Sequence, residues 1–228
     1  MKIKSISMMV GLAFALVVIG CDSSSDNGDV ISVDENGNTS VDIQALSEEL
    51  NPAVTGLTSE DAAGLIFMKE EEKLARDTYL ALYDVWNLSI FQNISNSEQT
   101  HTDAVGVLLD QYGIADPSSS NEAGEFTDAK LQNLYNQLVA QGSISLSDAL
   151  KVGATIEEID IIDLSEYIAE TDVNNIILVY ENLMKGSRNH LRSFVATLEN
   201  QTGETYVPQY LSQEEYDLII DSSFESGR

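Results

Sequence analysis

Residues 95–112 read SNSEQTHTDAVGVLLDQY, and they hold one of only two histidines in the chain. Ile94, Glu98, His101, Val105, Leu108 and Tyr112 follow one another at steps of four and three, the spacing of a single helix face. Four of these six are apolar, so the face turns toward a core. Glu98 and His101, one helical turn apart, are therefore expected inside it. A lone buried carboxylate costs several kcal/mol, of order about 3–5 once a partner is removed, and so requires company.

Three other long helical patterns place polar groups at the middle of an apolar stripe. In 59–86, SEDAAGLIFMKEEEKLARDTYLALYDVW, the stripe Leu65, Met68, Ala75, Tyr79, Leu82 and Trp86 is completed by Glu72. Glu70 and Glu71 fall off that stripe and are expected in solvent. Ser59, followed by acids, reads as the N-cap. A third pattern runs from about Ser147 to Glu170, with Leu150, Gly153, Glu157, Asp160, Leu164 and Tyr167 on one side. Glu158 competes with Glu157 for the inward position, and the spacing leaves the choice open. The fourth, about Val173 to Asn200, aligns Tyr180, Leu183, Ser187, His190, Phe194 and Leu198. Between the second and third lies a turn-rich break at 113–126, then a shorter helix at 127–142 with Leu131, Leu134, Tyr135 and Leu138 inward and Gly142 at its end. The sequence predicts an all-α fold: a four-helix bundle with an extra helix in the long crossover between helices 2 and 3.

Carboxylate-bridged metal bundles draw one Glu from each of two helices and a Glu-x-x-His pair from each of the other two. The candidate ligands are Glu72, Glu98, His101, Glu157, Asp160 and His190. Carboxylate and imidazole together suit iron or manganese, one or two ions, with zinc admissible. Arg76, one position off the Glu72 stripe, offers the alternative of neutralising that carboxylate without metal.

Composition removes other classes. The chain carries 38 acidic and 11 basic residues, a net charge of −27. That field repels nucleic acid, so no nucleic-acid partner is expected. The single cysteine, Cys21, permits no disulfide within the chain and no cysteine metal site. Residues 1–20 have the basic start and the short apolar run of an export signal, and VIGC at 18–21 resembles a bacterial lipobox. The resemblance implies cleavage before Cys21, lipid on its sulfur, and localisation to the cell envelope, tethered to a membrane. Residues 21–55, rich in Ser, Asp, Asn and Gly, read as a flexible acidic linker, and 56–228 as the helical domain.

Several stretches carry a family resemblance. EKLARDTY at 72–79 resembles the first-helix motif of rubrerythrins, SEQTHTDA at 97–104 the second-helix motif, and VYENLMKGSRNHLRSF at 179–194 the fourth-helix segment. The region 58–222, with EEIDIIDL and QTGETYVPQYL, resembles the DUF2202 family of the ferritin-like superfamily. This implies a ferritin-like bundle holding metal, with peroxide or oxygen redox activity and an external electron donor. Ser187 departs from the pattern, which has Glu there. A weakly held second ion, replacement by Asp160 or Glu158, and a mononuclear site all stay open. The competing expectation is a non-catalytic lipoprotein module that binds a protein or envelope partner, its polar core structural only. A homodimer is compatible with either.

Overall fold

Thr58, not Ser59, starts the first long helix: its hydroxyl accepts from the Asp61 amide while the Asp61 side chain accepts from the Thr58 amide. The computed structural model describes residues 30–51 and 57–226. Within them the order is β1 (Ile31–Val33), β2 (Thr39–Val41), α1 (Ile43–Glu49), α2 (Ser59–Trp86), α3 (Ser89–Tyr112), α4 (Ala129–Gly142), α5 (Leu146–Glu170), α6 (Asn174–Thr202) and α7 (Gln213–Ile220). The fold is all-helical apart from the antiparallel β1–β2 hairpin, in which Ile31 faces Val41 and Val33 faces Thr39.

Each helix boundary has a local cause. Asn87 ends α2 in the left-handed region at φ 49°, and the two-residue turn 87–88 sends α3 back alongside α2. Gly113 and Gly203 end α3 and α6 in the same conformation. Asp128 caps α4, Ser145 caps α5 and Ser212 caps α7, each accepting backbone amides. The cap of α5 therefore lies two residues before the Ser147 expected from sequence.

The four long helices pack as two pairs, α2 with α3 and α5 with α6. The pairs meet through α3 against α6 and α2 against α5, and α4 of the crossover lies on α2 and α5. Two apolar clusters fill the interior. One contains Tyr79, Leu82, Phe91, Ile94, Leu150, Phe194 and Leu198; the other contains Leu65, Met68, Val105, Leu108, Leu164, Tyr180 and Leu183. Every long helix runs from one cluster to the other, and between them α2 presents Glu72 and each of the other three a polar pair. Burying a Leu or Phe contributes about 1.5–3 kcal/mol, so these clusters supply the stabilisation that lets a charged layer exist between them. Gly153 is needed in the first cluster, because a Cβ there would lie 2.5 Å from the Phe194 ring.

The N-terminal part departs from expectation. A flexible linker from 21 to 55 does not hold over 30–51, where the hairpin and α1 pack on α3 and α6. Val30, Ile31, Val41 and Leu46 are buried, so half of the apolar residues of this polar stretch are committed to docking. The signal segment 1–20 and Cys21 lie outside the described residues. Among the described residues no helix is long and apolar enough to cross a membrane.

Candidate metal centre

Glu72 comes from α2, Glu98 and His101 from α3, Glu157 and Asp160 from α5, and Ser187 and His190 from α6. All are buried, and both histidines have no exposure at all. Glu98 lies at the middle. Its Oε2 is 2.8 Å from His101 Nδ1 and its Oε1 is 2.8 Å from His190 Nδ1. Glu72 Oε2 approaches His101 Nδ1 at 3.3 Å, and Glu157 Oε2 approaches His190 Nδ1 at 3.5 Å. The two imidazoles lie nearly parallel, centroids 5.4 Å apart.

These close approaches are not set as hydrogen bonds. Both Nδ1 atoms, Glu72 Oε1, Glu98 Oε1 and Asp160 Oδ1 are buried with no hydrogen-bond partner. Buried polar atoms without partners are rare in folded proteins and call for a water, an ion or a functional reason. Here Glu72, Glu98 and the two histidines converge on shared positions, while Asp160 stands outside both groups. Two triads each bring one ligand atom per residue within 4.8 Å of one another: Glu72, Glu98 and His101, and Glu98, Glu157 and His190. Glu98 belongs to both. Three carboxylates and two imidazoles in this arrangement can hold a metal ion.

The electrostatics without metal are those of a strained set of charges. Burial raises Glu72 to about 7, against the pull of His101. Burial and the negative charge of Glu98 raise Glu157 to about 7. Burial also works on Glu98, but the positive charges of His190 and His101 outweigh it and hold Glu98 well below the usual carboxylate range. Burial lowers the imidazoles, and the Glu98 charge overcomes it, leaving His190 at about 9 and His101 well above its ordinary value. Asp160 is raised by burial and then by Glu72. Glu98 is thus the anchor charge, flanked by two carboxyls close to neutrality.

The surrounding residues fix the ligands. Tyr79 donates its hydroxyl to Glu157 Oε1 at 2.6 Å. Ser187 donates to Asp160 Oδ2, so this α6 serine orients an aspartate on the facing helix. Thr39 of β2 touches both rings, its Oγ1 lying 3.3 Å from His101 Nε2 and 2.9 Å from His190 Nε2. Gly186 of α6 lies tight against this group. A Cβ there would sit 2.5 Å from the His101 ring and 3.2 Å from Thr39 Oγ1.

The choice between Glu157 and Glu158 is resolved by their partners. Glu157 is in the cluster. Glu158, equally buried, accepts from the Tyr206 hydroxyl at 2.6 Å and from the amides of Gln209, Tyr210 and Leu211 at 3.0, 2.7 and 2.8 Å. It holds the C-terminal segment and is not available to the centre. Glu70 and Glu71 are buried as well, contrary to the solvent position expected from the stripe. Glu70 accepts from the amides of Thr127 and Asp128 at the start of α4; Glu71 faces Asp163 and Asp160, and burial raises its carboxyl well above the ordinary value. Arg76 pairs with Asp77 and Gln99, so it does not neutralise Glu72. Sequence reasoning missed Thr39; its only signal is the alternation of Thr39, Ser40 and Val41, in which the outer two are buried and Ser40 is exposed.

Comparison with known proteins agrees with this architecture. The uncharacterised protein MJ0754 of Methanocaldococcus jannaschii is 56% identical over 171 residues, covering 75% of this chain and 92% of its own. The crystal structure of that hypothetical protein superposes with a TM-score of 0.75 at 54% identity, covering 77% of this chain and all of the other. The pattern described as an uncharacterised protein domain, DUF2202, matches residues 61–223, spanning all four long helices. The chain belongs to the DUF2202 family.

Proposed function

We propose that this protein is a ferritin-like metal-binding protein whose centre takes two iron or manganese ions and acts on peroxide or oxygen. The observation that carries the reading is the convergence of two buried Nδ1 atoms that lack hydrogen-bond partners, each 2.8 Å from an oxygen of the shared Glu98 carboxylate. Glu72, Glu98 and His101 would hold one ion, and Glu98, Glu157 and His190 the other. Asp160, oriented by Ser187 and with Oδ1 open, supplies the carboxylate on the side where the rubrerythrin pattern has a glutamate. When bound, iron or manganese supplies redox chemistry that no side chain here provides. The chain's own part is to exclude water with the apolar clusters above and below, to hold Glu157 through Tyr79, and to shield both imidazoles. Electrons come from an external donor. The lipobox resemblance at 18–21 supports placement at a membrane surface of the cell envelope.

A second reading has one observation in its favour: Glu98 and the two histidines compensate each other's charge without metal. On that account the layer is structural, and the module serves by binding an envelope partner. Metal analysis of protein expressed with iron or manganese supplied separates the two, run beside a Glu98→Ala, His101→Ala double variant. Two equivalents of metal in the parent protein and none in the variant are expected. A parent protein free of tightly bound metal overturns the metal reading, and a variant that still binds its envelope partner then favours the second.

A further inference from the structure

We propose that Thr39 is a positioning residue of the centre, fixing the tautomer of both histidines at once; this rests on the reading of the cluster as a metal site. A neutral imidazole carries one proton. For His101 and His190 to give their Nδ1 lone pairs to a cation, both protons must sit on Nε2. Both rings are wholly buried, so each Nε2–H needs an acceptor inside the protein. Thr39 Oγ1 is that acceptor for both, at 3.3 and 2.9 Å, and a hydroxyl oxygen has the two lone pairs required. One atom thereby sets the direction of ligands from two different triads. Partners of this kind around metal-bound histidines raise affinity by orienting the ring and fixing its tautomer.

The position of that atom is itself secured. The Thr39 amide donates to Ser97 Oγ at 3.0 Å and the Val41 amide to Thr100 Oγ1 at 3.1 Å, both on α3 within one turn of Glu98 and His101. On the other side Ser193 Oγ of α6 donates to the Asn36 carbonyl at 2.8 Å. The hairpin turn passes Ser193 through Gly37, at φ 80°, where a Cβ would lie 2.3 Å from the Ser193 hydroxyl. β2 is thus laid across the two histidine helices, α3 and α6, with Thr39 pointing between them. The hairpin itself lies N-terminal to residue 61, where the family match begins. The histidine half of the site is completed by a segment outside the matched core.

The test uses the full chain and its Thr39→Val and Thr39→Ser variants. Valine keeps the branched shape and removes the acceptor; serine keeps the acceptor. Mn(II) affinity is measured by competition with a chelator, and imidazole tautomers by nitrogen-15 NMR of the Zn(II)-loaded protein. We expect both rings of the parent protein to be protonated at Nε2. Thr39→Val should bind Mn(II) about 10–100-fold more weakly, and Thr39→Ser should recover to within about threefold of the parent. Parent protein that ligates through Nε2 overturns the proposal whether or not Thr39→Val folds. So does a folded Thr39→Val that binds Mn(II) like the parent, and in that case the metal reading survives. A parent protein that binds neither metal overturns both.

Discussion

Glu98→Gln is the most informative single substitution, because Glu98 touches both histidines and replacing it by the isosteric amide removes charge with little change of volume. Its carboxylate is 2.8 Å from each imidazole Nδ1, and removing one partner of a buried ion pair costs about 3–5 kcal/mol. The titration of His190 gives an independent figure. Its rise from 6.5 to about 9 corresponds to about 3 kcal/mol at about 1.36 kcal/mol per pH unit. Because His190 is raised above its unfolded value, that stabilisation is complete below about pH 6.5 and is lost as pH climbs through about 9. Glu98 is held low, so its share is complete above its ordinary 4.5 and is lost as pH falls through its folded value. Near pH 6, about the window where both conditions hold, metal-free Glu98→Gln should unfold with about 3 kcal/mol less stability, a fall of about 6–12 °C in Tm. The assay is thermal and urea unfolding in chelator, repeated with Mn(II). The parent protein should gain stability with Mn(II) and the variant should gain little. A variant as stable as the parent in chelator would refute the charge argument, and undiminished stabilisation by Mn(II) would refute the sharing of Glu98 between two ions.

Metal binding should strengthen from about pH 5.5 to about pH 8, because the cation must displace protons from groups raised by their surroundings: His190 to about 9, Glu72 and Glu157 to about 7. Calorimetric titration of Mn(II) in two buffers of different ionisation enthalpy should show proton release, and identical heats would contradict it. Tyr79→Phe removes the 2.6 Å hydrogen bond to Glu157 and leaves a buried carboxylate oxygen bare, costing about 1–3 kcal/mol in urea unfolding of the metal-free protein; an unchanged midpoint counts against that role. Glu158→Gln turns an acceptor toward backbone donors into an amide, so limited proteolysis should open the segment 205–212 while metal content stays at the parent value. Loss of metal in that variant would place Glu158, not Glu157, in the centre.

The stripe of α3 was legible because this helix meets the core along one dominant face, and a period of three and four then marks what is inside; α5 and α6 carried readable stripes too, although residues 156–158 and 189–194 are buried without a break. Glu98, His101, Asp160 and His190 could be found that way. Reading α2 by its stripe succeeded for Glu72 and failed for Glu70 and Glu71. This helix is covered by α3, α4 and α5 together, so burial there is no longer periodic. Glu158 escaped for a related reason: its partners are backbone amides from a segment about 50 residues downstream, and amides leave no trace in side-chain patterning. The hairpin was hidden by averaging. Composition over 22–55 is polar, yet two short strands need only a few apolar residues, and the specific contact of Thr39 depends on chain reversal at Gly37.

The run Lys69, Glu70, Glu71, Glu72, Lys73 on α2 has a further consequence. Lys69 reaches the Thr102 carbonyl on α3, Glu70 the amides before α4, Glu71 the Asp163 side chain of α5, Glu72 His101, and Lys73 both Asp77 and the carbonyls of Glu122 and Glu125. Five consecutive residues spread around a full circumference, because each step turns about 100°, and each is pinned in a different direction. An apolar stripe tolerates some rolling of a helix about its own axis; five directional anchors do not. α2 is keyed in rotation at the level of the centre, so the reach of the Glu72 carboxylate is set mechanically by its charged neighbours.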